Sequence, residues 1–125
     1  MLFRSVLCSG KVYYDLLAAR DEMNISNVAL IRMEQLYPFP AGPLLAELEA
    51  YDHAEFVWCQ EEPRNMGGWT FARDFIEDAM QTAGAVQHRV IYAGRDAAAS
   101  PATGTLGRHK REQDKLVADA LGLGG

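Results

Sequence analysis

Several features that define common protein classes are scarce or absent in this sequence of 125 residues. Its two cysteines, Cys8 and Cys59, are too few for a disulfide scaffold and are typical of a reducing compartment such as the cytoplasm. No run approaches about 18 apolar residues, so we predict no membrane span. The three histidines lie far apart and lack metal-ligand spacing. These absences argue against a disulfide scaffold, a membrane-spanning helix and a histidine-based metal site.

Basic residues are also in deficit. Lys and Arg number 12 against 17 Asp and Glu, which gives a net charge of −5. A negative chain is a poor general binder of nucleic acid, because that affinity comes mainly from phosphate contacts. The apolar fraction of 49% and the charged fraction of 23% are ordinary for a globular protein. Length and composition therefore predict a single domain, residues 1–125, with its own core.

Four short apolar runs predict four strands. Continuous apolar runs are typical of strands that are buried on both faces of a parallel sheet. The predicted strands are residues 3–8, 28–32, 55–60 and 87–92. The stretches after the last two strands, residues 61–68 and 93–104, are rich in glycine, proline or small residues and are predicted to be loops.

Apolar residues at helical spacing predict a helix after each strand. The fourth helix is expected to begin at Thr105 and to end at Gly122, with the basic run at residues 108–111 as its solvated first turn. Alternating strands and helices predict a three-layer α/β/α sandwich with a mostly parallel sheet, in the strand order 2-1-3-4. The third helix is expected to end at Gly84 and to bury a stripe of five residues: Phe71, Phe75, Ile76, Ala79 and Met80.

The predicted strand order brings the carboxyl ends of the first and third strands together, where open α/β sheets bind ligands or partners. Ser9, Gly10 and Lys11 follow the first strand and form a candidate anion site, because the helix that starts there offers free backbone N–H groups. A complete phosphate-binding loop is not present, since Ser5 stands where it needs glycine and Val12 where it needs serine or threonine. A plain strand-to-helix turn is therefore the favoured interpretation, and the anion site is the alternative.

The stretch after the third strand combines charged residues, proline, two glycines and an aromatic ring, which is typical of a segment that contacts another surface. Adjacent Glu61 and Glu62 point apart on an extended chain, so they do not form one acid–base pair. Pairing of these glutamates with Arg64 or Arg95 is favoured instead. We predict a contact surface that faces another domain or partner and is formed by Glu61, Glu62, Arg64, Asn65, Trp69 and Arg95.

The two cysteines are predicted near the ends of neighbouring strands. Free cysteine is commonly buried and inert, so we interpret Cys8 and Cys59 as small core residues. A redox pair is the alternative, and it needs a cationic neighbour to lower a thiol pKa. Lys11, near Cys8, is the nearest such group along the chain.

Four stretches resemble one known family, in order and with ordinary spacings. They are residues 6–16, residues 32–40, residues 57–63 with Asn65, Gly67 and Trp69, and residues 92–95 followed by 98–104. The sequence resembles the C-terminal domain of 2-oxoglutarate dehydrogenase, the decarboxylating first component of its complex. The form of residues 65–71 is similar to the alphaproteobacterial type. Asp96 departs from the family, which often has proline after Gly-Arg.

The resemblance implies a transketolase C-terminal-like fold and a chain that is a fragment of a longer, cytoplasmic bacterial enzyme. That family is homodimeric and depends on thiamin diphosphate and Mg²⁺. It decarboxylates 2-oxoglutarate and passes the succinyl group to the lipoyl arm of a succinyltransferase, in a complex with dihydrolipoyl dehydrogenase. The family's cofactor motif and substrate histidines are absent from this sequence. We therefore expect a structural and dimer-forming role, no catalytic, cofactor-binding or metal-binding residue, and an inactive isolated chain.

Two other functions fit the same residues. The sequence is also similar to the equivalent domain of a 2-oxoadipate dehydrogenase or an oxoglutarate decarboxylase, and nothing in this domain selects among the substrates. A freestanding α/β module that binds an anion or a nucleotide at Ser9, Gly10 and Lys11 belongs to a different class.

Overall fold

The structure, a computed structural model, describes residues 3–34, 41–50, 54–85, 89–97 and 106–123. Within these ranges the elements are β1 (Arg4–Cys8), α1 (Val12–Glu22), β2 (Val28–Arg32), α2 (Ala41–Ala50), β3 (Glu55–Pro63), α3 (Trp69–Ala83), β4 (Ile91–Arg95) and α4 (Leu106–Ala120). The strands pair in parallel in the order β2-β1-β3-β4, which confirms the predicted topology. None of the helices in the described ranges is long and apolar enough to cross a membrane.

Both faces of the sheet are buried, which explains the continuous apolar runs of the central strands. On one face, Val6 of β1 packs in a cluster with Leu16 of α1 and Leu116 of α4. On the other face, Leu7 packs in a cluster that contains Ile76 of α3 and residues of α2. Burial of each such side chain stabilises the fold by about 1.5–3 kcal/mol. The three-layer sandwich predicted from the sequence is confirmed.

β3 is longer than predicted. It continues to Pro63, so the predicted loop over residues 61–68 is wrong for its first three residues. An irregularity after Cys59 lets the strand resume its pairing with β4, where Pro63 lies opposite Arg95. Proline is tolerated at this position because it adjoins the irregularity in the pairing. The two adjacent glutamates therefore lie on a strand and not in a loop.

β4 lies further along the chain than predicted. It comprises Ile91–Arg95, so the predicted strand over residues 87–92 is wrong at residues 89 and 90, and the predicted loop that starts at Ala93 is wrong for its first three residues. The late start has a physical cause. The N–H of Val90 donates to Glu77 Oε2 of α3 at 2.9 Å, so it is not available to the sheet.

The buried face of α3 differs in part from the predicted stripe. Phe71 and Phe75 are 38% and 44% exposed, so their assignment to the core is wrong. Their rings lie 5.2 Å apart on the outer face of the helix. The N–H of Trp69 donates to Gln60 Oε1 at 2.9 Å, which fixes the first turn with the indole inward. The face that is buried comprises Trp69, Ala72, Ile76, Ala79 and Met80.

The helix ends described here agree with the sequence. Gly84 caps α3 with φ of +72°, and Gly122 follows α4 with φ of +79°, a conformation that favours glycine. The basic run at residues 108–111 is exposed, which confirms its interpretation as a solvated turn. Two other predicted features lie outside the described residues: residues 87–88 and Thr105.

Arg4 ties the first strand to the last helix. Its Nη1 donates to the carbonyl oxygens of Asp119 at 2.9 Å and Ala120 at 3.2 Å, and its Nη2 pairs with Glu55 Oε2 at 2.9 Å. Carbonyls at a helix C-terminus lack partners within the helix and carry partial negative charge. The guanidinium therefore satisfies them and holds β1, β3 and α4 together at one corner.

Ser5 of β1 is fully buried, and its hydroxyl makes no hydrogen bond to any residue that the structure describes. We expect Ser5→Ala to raise the free energy of unfolding by about 1 kcal/mol, because an unpaired buried polar group costs about 1–3 kcal/mol. Urea unfolding followed by circular dichroism measures the change. Ser26→Ala, at an exposed position, is the matched control and is expected to stay within about 0.5 kcal/mol. A loss of stability in Ser5→Ala contradicts this prediction.

Candidate functional site

The carboxyl ends of β1 and β3 meet at one edge of the sheet, as the predicted strand order requires. Cys8 and Cys59 are register partners, so the residues that follow them lie side by side. An open cleft of about 430 Å³ lies over this edge, where open α/β sheets bind ligands or partners. It is lined by Ser9, Gly10, Trp58, Gln60, Glu62, Gly67, Gly68 and Phe71.

Gln60 organises the segment that leaves β3. Its side chain is 2% exposed, and both ends of its amide are used. Oε1 accepts from Trp58 Nε1 and from the backbone N–H of Trp69, each at 2.9 Å. These two groups can only donate, which fixes the orientation of the amide. The two N–H groups of Nε2 then donate to three carbonyl oxygens of the following turn, one N–H being shared: those of Glu62 at 3.1 Å, Pro63 at 2.9 Å and Met66 at 2.8 Å.

The turn held by Gln60 places Arg64 over two aromatic rings. Its guanidinium carbon lies 4.9 Å from the ring centroid of Tyr92 and 5.6 Å from that of Trp69. Tyr92 is fixed in turn, because its hydroxyl donates to the carbonyl of Arg95 at 2.7 Å. Burial raises the pKa of Tyr92 to about 12, so the phenol stays neutral at ordinary pH. Trp69 is only 4% exposed and lies beneath the exposed arginine.

Arg95 is the centre of a polar network that joins β3, β4 and α4. Its side chain is 8% exposed. Nη1 donates to the carbonyl of Glu61, Nε pairs with Glu112 Oε2 at 3.2 Å, and Nη2 donates to Gln113 Oε1 at 3.0 Å. The favoured pairing of Arg95 with the loop glutamates therefore occurs through the backbone oxygen of Glu61 and not through a carboxylate.

The carboxylate of Glu61 links this network to the turn after β1. Its Oε1 accepts from Lys11 Nζ at 2.9 Å and from Gln113 Nε2 at 2.8 Å, and the bond with Glu61 raises the pKa of Lys11. Lys11 is exposed, so this ion pair contributes little to stability. The anion site at Ser9, Gly10 and Lys11 stays a prediction, and Glu61 competes with any anion for the same ammonium group.

The predicted contact surface is partly exposed and partly buried by its own chain. Glu62, Arg64 and Asn65 are exposed at the surface of the domain. Glu61 is half-buried, whereas the side chains of Trp69 and Arg95 are buried. These last three shape the surface from beneath, so Trp69 offers little of its ring to another molecule. Its contact with a partner stays a prediction.

Two residues of this site were missed from the sequence, Gln60 as the centre of the turn and Tyr92 as a support for Arg64. The signal for Gln60 is a lone amide at the end of an apolar strand, because a buried polar side chain must find partners. Tyr92 carries no comparable signal, since alternation along a strand does not reveal that an arginine from another segment stacks on it.

Cys8 and Cys59 are fully buried neighbours with free thiols. Burial raises the pKa of Cys8 to about 12 and raises that of Cys59 well above its ordinary value. Thiolates are the reactive form, so both residues act as core and not as a redox pair. Across the parts of the chain that the structure describes, no three His, Cys, Asp or Glu side chains are arranged to hold a metal ion.

Comparisons with known proteins agree with this fold. A model of the family described as 2-oxoglutarate dehydrogenase C-terminal matches residues 2–121. The chain is 54% identical over 119 residues to the 2-oxoglutarate dehydrogenase E1 components of Brucella anthropi and Brucella ovis, and the match covers 95% of this chain but only 12% of each relative. A solved chain described as split gene transketolase, inactive beta4 tetramer, has a TM-score of 0.56 at 16% identity, over 98% of this chain and 39% of that one.

Proposed function

Because this chain belongs to the 2-oxoglutarate dehydrogenase C-terminal family, we propose that it serves a 2-oxoglutarate dehydrogenase first component as its structural and dimer-forming C-terminal domain. The proposal depends on the family match over residues 2–121. The whole enzyme decarboxylates 2-oxoglutarate and passes the succinyl group to the lipoyl arm of a succinyltransferase. A 2-oxoadipate dehydrogenase or an oxoglutarate decarboxylase is not favoured, since the relatives are named 2-oxoglutarate dehydrogenase. A freestanding binding module is not favoured either.

The exposed turn after β3 supports a role in contact with other domains. Its side chains Glu62, Arg64 and Asn65 face outward, while Gln60 fixes its backbone from within. A turn that is rigid before binding loses little entropy when a partner covers it. The neighbouring aromatic pair on α3 adds exposed apolar surface, which is typical of an interface.

Thiamin diphosphate and Mg²⁺ are proposed to bind in other domains of the whole enzyme. The described residues of this chain do not fit a Mg²⁺ site, because no three metal-ligating side chains converge among them. When bound, thiamin diphosphate supplies the carbanion chemistry of decarboxylation. The proposed partners are the remaining domains, a second copy of the enzyme, the succinyltransferase and dihydrolipoyl dehydrogenase, in the bacterial cytoplasm.

A domain replacement tests this function. In the Brucella anthropi enzyme, the matching C-terminal segment is replaced by this chain, and decarboxylation of 2-oxoglutarate and dimer formation are measured. We expect the replacement enzyme to be active and dimeric, because the two domains share 54% of their residues. The same enzyme without any C-terminal domain is the control and is expected to be inactive.

The isolated chain provides the complementary measurement. It is expected to show no decarboxylation and no heat of binding with thiamin diphosphate and Mg²⁺ by calorimetry. Activity or cofactor binding by the isolated chain would contradict the assigned structural role. If the replacement enzyme folds but stays monomeric and inactive, this chain does not serve as the dimer-forming C-terminal domain of the enzyme.

A further inference from the structure

We propose that Arg64 binds a carboxylate side chain on another domain of the parent enzyme, with the aromatic rings beneath it holding the guanidinium in place. This inference rests on the proposed function, since it specifies the partner surface that the exposed turn contacts. It is carried by three properties of Arg64: the side chain is oriented, its donors are unused, and its surroundings suit a single negative charge.

The orientation of Arg64 is set before any partner binds. Its backbone N–H donates to the carbonyl of Arg95 at 3.0 Å, and its guanidinium lies over Tyr92 and Trp69. An exposed arginine normally loses side-chain entropy when it forms an ion pair. Contact with the two rings reduces that loss, and because neither contact is a hydrogen bond to an oxygen or nitrogen, it leaves the N–H donors without such an acceptor.

The donors of Arg64 are unused within the described part of the chain. The guanidinium donates no hydrogen bond and forms no ion pair there, and its contacts are the two aromatic rings. Other arginines of the fold have acidic partners, such as Arg4 with Glu55 at 2.9 Å and Arg95 with Glu112 at 3.2 Å. Arg64 therefore retains five N–H donors for a group outside these residues.

The surroundings of Arg64 favour a carboxylate over a phosphate. Glu61 and Glu62 precede it at the end of β3, and the chain carries a net charge of −5. Arg73, the other cation over the Trp69 ring, is paired with Asp74 at 3.5 Å. A dianion is therefore repelled more strongly than a single carboxylate. The planar fork of arginine binds a carboxylate through two hydrogen bonds. An exposed aspartate or glutamate on another domain therefore fits this surface.

The test uses the replacement enzyme with the substitution Arg64→Lys. A carbodiimide joins an amine to a carboxylate in direct contact and adds no spacer. We expect mass spectrometry to identify a cross-link from the substituted lysine to an aspartate or glutamate outside the replaced domain. Arg108→Lys, on the exposed first turn of α4 beside Glu112, is the matched control and is expected to cross-link only within the domain.

Arginine modification by phenylglyoxal gives a second readout without any substitution at Arg64. We expect Arg64 to react about tenfold more slowly in the replacement enzyme than in the isolated chain, because a bidentate carboxylate shields the guanidinium. Arg111, which is exposed on α4, is expected to react equally in both proteins. Protection of Arg64 in the isolated chain by inorganic phosphate would identify a phosphate site and overturn the inference.

The two proposals fail in different ways. If the replacement enzyme is active and dimeric, but Arg64 is not protected and the Arg64→Lys variant cross-links only within the domain, the inference is wrong and the proposed function stands. If the replacement enzyme folds without activity or dimer formation, the proposed function is wrong, and the inference that rests on it is wrong as well.

Discussion

Replacing Gln60 with alanine is expected to lower the free energy of unfolding by about 3–5 kcal/mol, because each buried polar group left without a partner costs about 1–3 kcal/mol. Trp58 Nε1 loses its acceptor inside a fully buried ring. The N–H of Trp69 loses the bond that fixes the first turn of α3. Domains are stable by about 5–15 kcal/mol, so this loss is a large share of the total. Urea unfolding followed by tryptophan fluorescence measures it.

Two further variants separate the causes of this loss. Gln60→Glu keeps the volume and one acceptor oxygen, but at neutral pH it sets a carboxylate oxygen against the three carbonyls of the turn, so we expect a similar loss. The loss should decrease in acid, where the protonated carboxyl can donate one hydrogen bond. Gln81→Ala, at an exposed position of α3, is expected to change stability by less than about 0.5 kcal/mol. If Gln60→Ala behaves like Gln81→Ala, the turn is not held by this amide.

Gly94→Ala is expected to lower the free energy of unfolding by about 3 kcal/mol, at the upper end of the cost of overpacking. A Cβ on Gly94 lies 2.5 Å from Tyr92 Oη and 2.9 Å from the carbonyl oxygen of Gln60. The carbonyl belongs to the backbone of β3 and cannot turn aside. Tyr92 can move only if its hydroxyl gives up the hydrogen bond to the Arg95 carbonyl and its ring loses contact with the Arg64 guanidinium. Urea unfolding measures this loss of stability. Amide hydrogen exchange should be faster in β4, which would show that the pairing of this strand is weaker.

Two other glycines serve as controls for Gly94. A Cβ on Gly42 meets nothing within 4 Å, and its place in α2 means that Gly42→Ala should raise stability by up to about 1 kcal/mol. Gly84 also has free space but a φ of +72°, so Gly84→Ala isolates the conformational cost, at about 1 kcal/mol. A Gly94→Ala variant no less stable than Gly84→Ala would show that β3 and β4 adjust without loss.

The architecture could be predicted because it depends on features that a sequence displays directly. Continuous apolar runs such as residues 56–59, all buried in the central strand β3, indicate strands buried on both faces, and their alternation with helices leaves few possible topologies. The adjacent placement of Ser9 and Glu61 at one edge followed from strand order alone. The bounds of β3 and β4 did not, because they depend on contacts from outside the strands, such as the carboxylate of Glu77 that takes the N–H of Val90.

The details of the site could not be predicted because they depend on which way one helix is turned. Trp69 and Phe71 are both aromatic residues in the first turn of α3, and composition alone favours either as the buried one. The hydrogen bond from the N–H of Trp69 to Gln60 determines that Trp69 is the buried one. Helical and strand periodicity in the sequence does not predict this contact. The stacking of Arg64 on Tyr92 likewise joins segments that are distant in sequence.

Arg4 has a consequence for the order in which the fold is completed during synthesis. The carbonyls that it binds are 115 and 116 residues further along the chain, and contacts at such separations form slowly. β1 can pair with β2 and β3 as soon as those strands have left the ribosome, since chains are made from the N-terminus. The apolar face around Val6 and Val57 is covered by α4, so it becomes buried only after nearly the whole chain has been synthesised. That face is the surface that a nascent chain presents longest to chaperones and to other unfinished chains.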